Sequence, residues 1–225
     1  MTYLELVQRL HSEAKVAGSS PITVVGQTGM VARLVNWVLT AYEDIQNLHP
    51  QGWKFLQAAF SFTTEGSERN YTLSDLELTD LGTWKIGPGD VRIYESATDE
   101  NELIYEPWDT YRLAYITGSA RTQEGRPSVF SIKYDNSMDL WQIPNGEYTV
   151  NGEHFMKAQT MNADEDEPLI PSQYQMIIVW RALMFFGAVM GANDKYEHGK
   201  NEYKRILRRL EMNQLPRFTW GPPLA

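Results

Sequence analysis

The chain has 225 residues, a hydrophobic content of 42%, an aromatic content of 12% and a formal net charge of −9. This composition excludes an intrinsically disordered chain, and the absence of cysteine excludes a disulfide framework, a thiolate metal site and a cysteine nucleophile. The acidic balance argues against a protein that grips nucleic-acid phosphates over its whole surface, because such proteins are normally basic.

Two amphipathic helices are predicted at the start of the chain. The first covers residues 2–16, and the second covers roughly residues 28–48, where apolar residues recur with a period of 3.6. These apolar positions are Val31, Leu34, Val35, Val38, Ala41, Ile45 and Leu48. Thr28 is the expected N-cap, and Pro50 prevents the helix from continuing through residue 49.

The end of the second helix forms a corner in the segment DIQNLHPQGWKFL, residues 44–56. Its mixture of acid, amide, histidine and tryptophan suits a binding site, a catalytic site or a packing corner. Ile45 continues the apolar stripe of the helix and Gly52 suits a chain reversal, so we predict an architectural corner. Its residues are Asp44, Ile45, Gln46, Trp53 and Phe55.

The middle of the chain is predicted to be rich in β-strands, because short alternating segments are separated by turn residues. Residues 55–62 and 69–73 predict one hairpin around TTEGSE, and residues 128–134 and 140–144 predict a second around Asp135-Asn136-Ser137. A further strand segment and a short helix are predicted at residues 146–161 and 107–117.

Helices return near the C-terminal end. The segment MIIVWRALMFFGAVMG, residues 176–191, is interrupted by Arg181 and predicts a buried helix and not a membrane span. Ser172 and Gln175 fit a capping box at its start. A last helix is predicted at roughly residues 194–212, and the sequence from 194 to 217 holds seven basic residues against four acidic ones.

This order of elements predicts an α+β fold: a helical bundle formed by the N- and C-terminal helices, with an inserted β-rich lobe. The predicted parts are the N-terminal helices of the helical half, the β-rich lobe, the C-terminal helices and an extended, proline-containing tail. They cover residues 1–52, 53–162, 163–212 and 213–225, respectively.

No catalytic motif such as GxSxG, HExxH or GxxxxGK[ST] occurs in the chain, so we expect no enzyme, no cofactor and no metal. The acidic segment 164–167 lacks the glycine and spacing of a calcium loop and is predicted to be a solvated loop. Asp139 and the adjoining 135–137 segment are similarly predicted to form a turn. Unassigned carboxylate pairs and exposed aromatic residues of the β-rich lobe leave two alternatives open: an acid/base hydrolase and a glycan-binding tail module.

The basic last helix and the tail predict a partner-binding surface, because arginine and aromatic residues are typical interface anchors. Its candidate residues are Lys204, Arg205, Arg208, Arg209, Arg217, Phe218 and Trp220. The tail either folds back on its own domain or docks on another chain.

The order of several features resembles the head–tail adaptor (connector) proteins of tailed, short-tailed bacteriophages. An arginine and an aromatic-rich helix end in an acidic-Ile-Gln step, a W-x-F sequence follows, and an acidic loop precedes the later apolar helix. The matching residues are Arg33, Trp37, Ala41, Tyr42, Asp44, Ile45, Gln46, Trp53, Phe55, Pro168, Leu169, Ile170, Pro171 and Tyr174. The resemblance covers residues 1–212.

The resemblance implies a noncatalytic virion protein at the head–tail interface, synthesised in the host cytoplasm. Such proteins form a ring of about twelve copies beneath the portal, extend the DNA channel and provide the platform for the tail. The implied partners are the portal protein, neighbouring copies and tail or nozzle proteins; DNA passes without specific binding, and no membrane is involved. The candidate surface on the last helix and tail is then expected to meet the portal or a neighbouring subunit.

Overall fold

The computed structural model describes residues 1–49, 52–96 and 98–215. Its helices lie mainly at the two ends of the chain, as predicted. They are α1 (Tyr3–Ala14), α2 (Gly29–Gln46), α3 (Trp108–Tyr115), α4 (Met176–Met190) and α5 (Asn193–Gln214), with short 3-10 turns at Lys54–Leu56, Gly118–Thr122 and Ser172–Tyr174.

The described strands all lie in the middle of the chain, which confirms the α+β fold class. They are β1 (Gln57–Thr63), β2 (Asn70–Tyr71), β3 (Leu81–Trp84), β4 (Arg92–Tyr94), β5 (Asn101–Glu102), β6 (Ile104–Tyr105), β7 (Glu124–Gly125), β8 (Val129–Ile132), β9 (Met138–Trp141), β10 (Ile143–Pro144) and β11 (Thr149–Met156).

The chain divides into two compact units. The helical unit consists of Met1–Leu56 and Ala158–Ala225, and the β unit consists of Gln57–Lys157. The chain therefore leaves the helical unit after the first two helices and returns to it for the last two.

Helix α4 is the central helix of the helical unit, because it packs against α1, α2 and α5. Its side chains are apolar around most of its circumference, and nine of its residues are buried. By length and composition Ser172–Met190 would also suit a membrane span. In the structure half of this window is buried inside the protein, and α4 packs against three other helices.

The capping box predicted at the start of α4 does not form. Gln175 is buried, and its side-chain Nε2 donates to the carbonyl oxygen of Ile170 at 3.1 Å. Ser172 makes no side-chain cap. The carboxamide of Gln175 therefore serves carbonyls of the preceding segment, which have no helical partner, and is not free to close a capping box.

The β unit contains two main sheets and a short parallel pair, β7 with β10. The first sheet has the order β1-β11-β4-β5, with β3 also paired to β11, and the second has the order β2-β9-β8-β6. Apolar residues from both sheets form one core, including Phe60, Ile93, Phe130, Leu140 and Val150.

One of the two predicted hairpins is correct. Strands β8 and β9 pair antiparallel, with Phe130 opposite Leu140. Asn136 in the connecting turn has a φ of 65°, a left-handed conformation that asparagine tolerates better than most residues.

The other predicted hairpin is wrong, because β1 and β2 do not pair. β1 pairs antiparallel with β11, and β2 pairs with β9 in the other sheet. The side chains nevertheless meet in the core, where the rings of Phe62 and Tyr71 lie 4.8 Å apart. Alternation predicts that a segment is a strand and leaves its partner strand undetermined.

Candidate partner-binding surface

Helices α4 and α5 approach each other closely because glycines lie at their contact. A Cβ atom on Gly187 would lie 2.6 Å from the backbone nitrogen of Tyr196, and one on Gly199 would lie 2.9 Å from the carbonyl oxygen of Trp180. Ile206 and Leu210 continue the buried face of α5. The opposite face of α5 is therefore left to solvent.

The exposed face of α5 carries four of the predicted interface residues. Lys204, Arg205, Arg208 and Arg209 are all exposed, and the spacing of four residues places them as neighbours along one side of the helix. The guanidinium of Arg205 is paired with the carboxylate of Glu202 at 2.5 Å. Among the described residues, no ion pair involves the other three cations, so this face keeps a local positive charge on an acidic protein.

A groove of about 250 Å³ lies beside this face, between α5 and the start of α4. We call it the basic groove; it is lined by Gln173, Tyr174, Met176, Trp180, Arg205, Ile206 and Arg209. The ring of Trp180 is held edge-on against His198, with the ring centroids 5.2 Å apart. The groove therefore combines an apolar floor with a cationic edge.

The sequence pattern predicts the cations of the groove but not its floor. Trp180 lies in a helix that is hydrophobic enough to be assigned wholly to the core, and it is indeed 8% exposed. Tyr174 precedes α4 and Met176 is its first residue, and both are only partly buried. The available signal was the presence of large side chains at the first turn of a buried helix, where neighbouring helices cover less of the surface.

The acidic segment 164–167 lies in the loop before α4, and two of its carboxylates accept backbone N–H groups. The carboxylate of Asp164 accepts the backbone N–H of Val24 at 2.6 Å. The carboxylate of Asp166 accepts the backbone N–H groups of Asn162 and Ala163 at 2.5 and 2.8 Å, which holds the pKa of Asp166 below its usual value. Two of the four carboxylates are thus engaged by backbone N–H groups.

From residue 164 to residue 170, every second side chain is exposed to solvent. Glu165, Glu167 and Leu169 are exposed, whereas Asp164, Asp166, Pro168 and Ile170 are buried or partly buried. We call the three exposed side chains the acidic strip. The strip presents two carboxylates followed by one apolar side chain.

The predicted architectural corner lies entirely in the helical unit. Trp53 is fully buried and its ring stacks on that of Phe55 at a centroid distance of 5.6 Å. His49 packs edge-on against Trp53 at 4.5 Å, and its Nε2 lies 3.3 Å from a carboxylate oxygen of Glu211 without the alignment of a hydrogen bond. Pro50, which the sequence analysis gave as the helix stop, lies outside the described residues.

Two polar residues of the corner bind other parts of the helical unit. The side-chain amide of Gln46 exchanges two hydrogen bonds with the backbone of Gln159, at 2.8 and 3.0 Å. Asp44 accepts from the guanidinium of Arg181 on α4 at 2.9 Å. The corner therefore fixes the end of α2 to α4 and to the segment that follows β11.

The β unit holds a buried ionic cluster around Asp139. The sequence pattern predicts a turn at this residue, whereas in the structure it lies in β9. The carboxylate of Asp139 contacts Arg69 at 2.6 Å, Lys133 at 2.8 Å and the phenolic oxygen of Tyr111 at 2.8 Å. Burial and the Asp139 charge raise the pKa of Tyr111 well above its usual value. Asp139 is already satisfied by the protein's own cations, so the cluster has the character of a structural support between α3 and the second sheet.

An open groove of about 610 Å³ on the first sheet contains the carboxylates of Asp90 and Glu153. Both are paired with Lys85. Lys85 lowers the pKa of Glu153, whereas a general acid for glycoside hydrolysis needs a raised carboxyl pKa. Within the described residues, no cluster of three or more acidic or histidine side chains is arranged to hold a metal ion.

Three predicted interface residues, Arg217, Phe218 and Trp220, lie outside the described residues. A protein-family model described as SU10 adaptor protein matches residues 1–225, which is the whole chain. No curated protein matches the sequence significantly.

Proposed function

We propose that this chain forms a ring beneath the portal, extends the DNA channel and provides the platform for tail attachment. The chain belongs to the SU10 adaptor protein family and is therefore a structural phage adaptor of the virion. The family match confirms the resemblance to phage adaptors. The proposed ring contains about twelve copies, each contacting its neighbours through two different surfaces.

The observation that carries this proposal is the family match over the whole chain. The surface chemistry is compatible with it, because the four exposed cations of α5 and the adjoining aromatic groove are the kind of feature that anchors protein partners. We propose that this face, together with Arg217, Phe218 and Trp220, meets the portal or a neighbouring subunit.

The net charge supports passage of DNA without binding. Each copy carries a formal charge of −9, so a ring of about twelve copies carries a charge on the order of −100. A channel wall of this sign would repel DNA phosphates and keep the genome mobile. A basic channel wall in an assembled ring would contradict this part of the proposal.

The proposal is tested by mixing the purified protein with the portal protein of the same phage and measuring the mass of the complex. We expect a portal-bound ring of about twelve copies whose central channel continues that of the portal in electron micrographs. If the wild-type protein leaves the portal unoccupied, the proposed function is wrong.

A shortened chain ending at Leu215 tests the contribution of the last ten residues. If Arg217, Phe218 and Trp220 anchor the portal, this chain should fold normally and fill portals less completely. Unchanged occupancy would remove these three residues from the portal contact.

A further inference from the structure

We infer that the basic groove of one copy receives the acidic strip of the neighbouring copy. This inference rests on the proposed ring, and it names the partner of the α5 surface as a second copy of the chain.

The groove has the chemistry to accept such a strip. Its floor is formed by the rings of Tyr174 and Trp180, and Arg205 and Arg209 stand along its edge. An occupant must therefore supply an apolar side chain to cover the floor and carboxylates to meet the guanidinium groups. Lys204 and Arg208 extend the positive surface beyond the groove, in a second shallow depression on α5.

The strip supplies these groups in one short segment. Glu165 and Glu167 are exposed, and within the described residues neither forms an ion pair. Leu169 follows them and is 38% exposed. Two carboxylates and one apolar side chain thus match Arg209, the Nη1 group that Glu202 leaves on Arg205, and the apolar floor of the groove.

The strip is held in place before any partner arrives. The backbone N–H of Tyr3 donates to the carbonyl oxygen of Asp166 at 2.7 Å, and the N–H of Leu169 donates to the phenolic oxygen of Tyr42 at 2.8 Å. The carboxylate of Asp166 holds the turn from within through the N–H of Asn162, and that of Asp164 ties it to the N–H of Val24 between α1 and α2. Little conformational entropy is therefore lost when the strip docks.

The two surfaces are built from different elements of the helical unit. The strip is fixed by residues of α1 and α2, and the groove is formed by α4 and α5. A contact between two different and complementary surfaces of identical chains is head-to-tail, and such contacts generate a ring when the rotation between copies closes and an open filament when it does not. The inferred contact is therefore of the type that the proposed ring requires.

Charge reversal tests the inference. In one variant Arg205→Glu is combined with Arg209→Glu, and in a second Glu165→Lys is combined with Glu167→Lys. Each variant alone should occupy portals about tenfold less than the wild type or worse, because every copy-to-copy contact then opposes like charges. The pair Arg33→Glu with Lys54→Glu, at exposed positions outside both surfaces, makes the same change in net charge as the first variant and should fill portals normally.

Two compensating combinations of the variants distinguish a second copy from other occupants of the basic groove. An equal mixture of the two variants should form rings in which they alternate, since each groove then meets an oppositely charged strip. A single chain carrying all four substitutions should also form rings. If the four-substitution chain stays defective, the groove instead binds the portal or the chain's own C-terminal residues, and the inference is wrong.

The absence of cysteine provides a second readout that does not depend on charge. In rings assembled on portals, a chain with Glu167→Cys and Arg209→Cys should give a ladder of disulfide-linked oligomers on oxidation. Glu167→Cys with Lys54→Cys should give none. Rings that form without a ladder in the first variant overturn the inferred contact, whereas failure of the wild type to occupy portals overturns the proposed function.

Discussion

The indole nitrogen of Trp53 donates a hydrogen bond to the carbonyl oxygen of Ile45 at 2.7 Å, in the last turn of α2. The last carbonyls of a helix have no intrahelical donor, and a buried side chain eight residues later supplies one for Ile45, beside the backbone N–H of Leu48 at 3.3 Å. The abrupt end of α2 beside a tryptophan is thus a helix cap as well as a packing contact.

Substitution of Trp53 should lower the stability of the protein, because the ring both caps α2 and packs in the core. Trp53→Ala removes a fully buried ring and should lower the free energy of unfolding by about 3–5 kcal/mol. Trp53→Phe keeps most of the apolar surface and removes the shorter of the hydrogen bonds to the Ile45 carbonyl, which still accepts the N–H of Leu48 at 3.3 Å, at about 1 kcal/mol. Urea unfolding followed by circular dichroism measures both, with the exposed Lys54→Ala as control. A loss below about 1 kcal/mol for Trp53→Ala would contradict the structural role.

Local patterns in the sequence predicted most helices and one hairpin. The apolar period placed α2 within two residues of its observed ends, Gly29–Gln46, and the Asp135-Asn136-Ser137 turn located the β8–β9 hairpin. The predicted pairing of β1 with β2 was wrong. The strand that pairs with β1 is β11, which begins at Thr149, far along the chain. Long-range pairing is decided by the shared core, which a local pattern does not contain.

The candidate site was predicted only in part for a related reason. Charged residues such as Arg205 and Arg209 are recognisable because a basic helix is unusual on an acidic chain. The floor of the groove depends on how closely α4 and α5 approach, and that distance is set by Gly187 and Gly199. The exposure of Glu165 and Glu167 likewise depends on which acidic residues bind the backbone.

Because α4 and α5 approach closely, we predict that Gly187→Ala destabilises the protein, although helix propensity alone would predict stabilisation. Alanine is favoured over glycine in a helix by about 1 kcal/mol, yet a Cβ on Gly187 would lie 2.6 Å from the backbone of Tyr196. Gly187→Ala should therefore destabilise the protein, by about 1–3 kcal/mol. Denaturant unfolding tests this, with the exposed Asn201→Ala on α5 expected to be neutral or slightly stabilising. A stabilised Gly187→Ala variant would show that the helices are free to move apart.

The Asp139 cluster predicts a local loss of stability in the β unit. Asp139→Ala leaves the neighbouring cations Arg69 and Lys133 without their carboxylate, and both are largely shielded from water. The expected cost is about 3 kcal/mol. Hydrogen exchange measured by mass spectrometry should show faster exchange in β8 and β9, and Asp135→Asn in the exposed turn should leave these strands unchanged. Equal exchange in both variants would show that Asp139 contributes no more than a surface carboxylate.

Alkaline pH should destabilise the fold through three buried tyrosines. Burial raises the pKa values of Tyr3, Tyr42 and Tyr71 to about 12, from an ordinary value of 10.0. Their phenolic protons are donated to the carbonyl oxygens of Val35 and Glu68 and to the side-chain oxygen of Gln159, so folding favours the protonated form. A raised pKa of an acidic group contributes stability that is fully present below the unfolded value and is lost as pH rises through the folded value.

The unfolding midpoint should therefore decline as pH rises from 10 to 12, over the interval between the unfolded and folded pKa values. Tyrosinate absorbance in the folded protein should show a late-titrating fraction. Tyr42→Phe should be less stable at neutral pH, because the phenol's hydrogen bonds to the side-chain oxygen of Gln159 and from the N–H of Leu169 are both lost, and should show a shallower decline above pH 10. If all tyrosines of the folded protein titrate together near the ordinary value of 10.0, these three phenols are not held by the core.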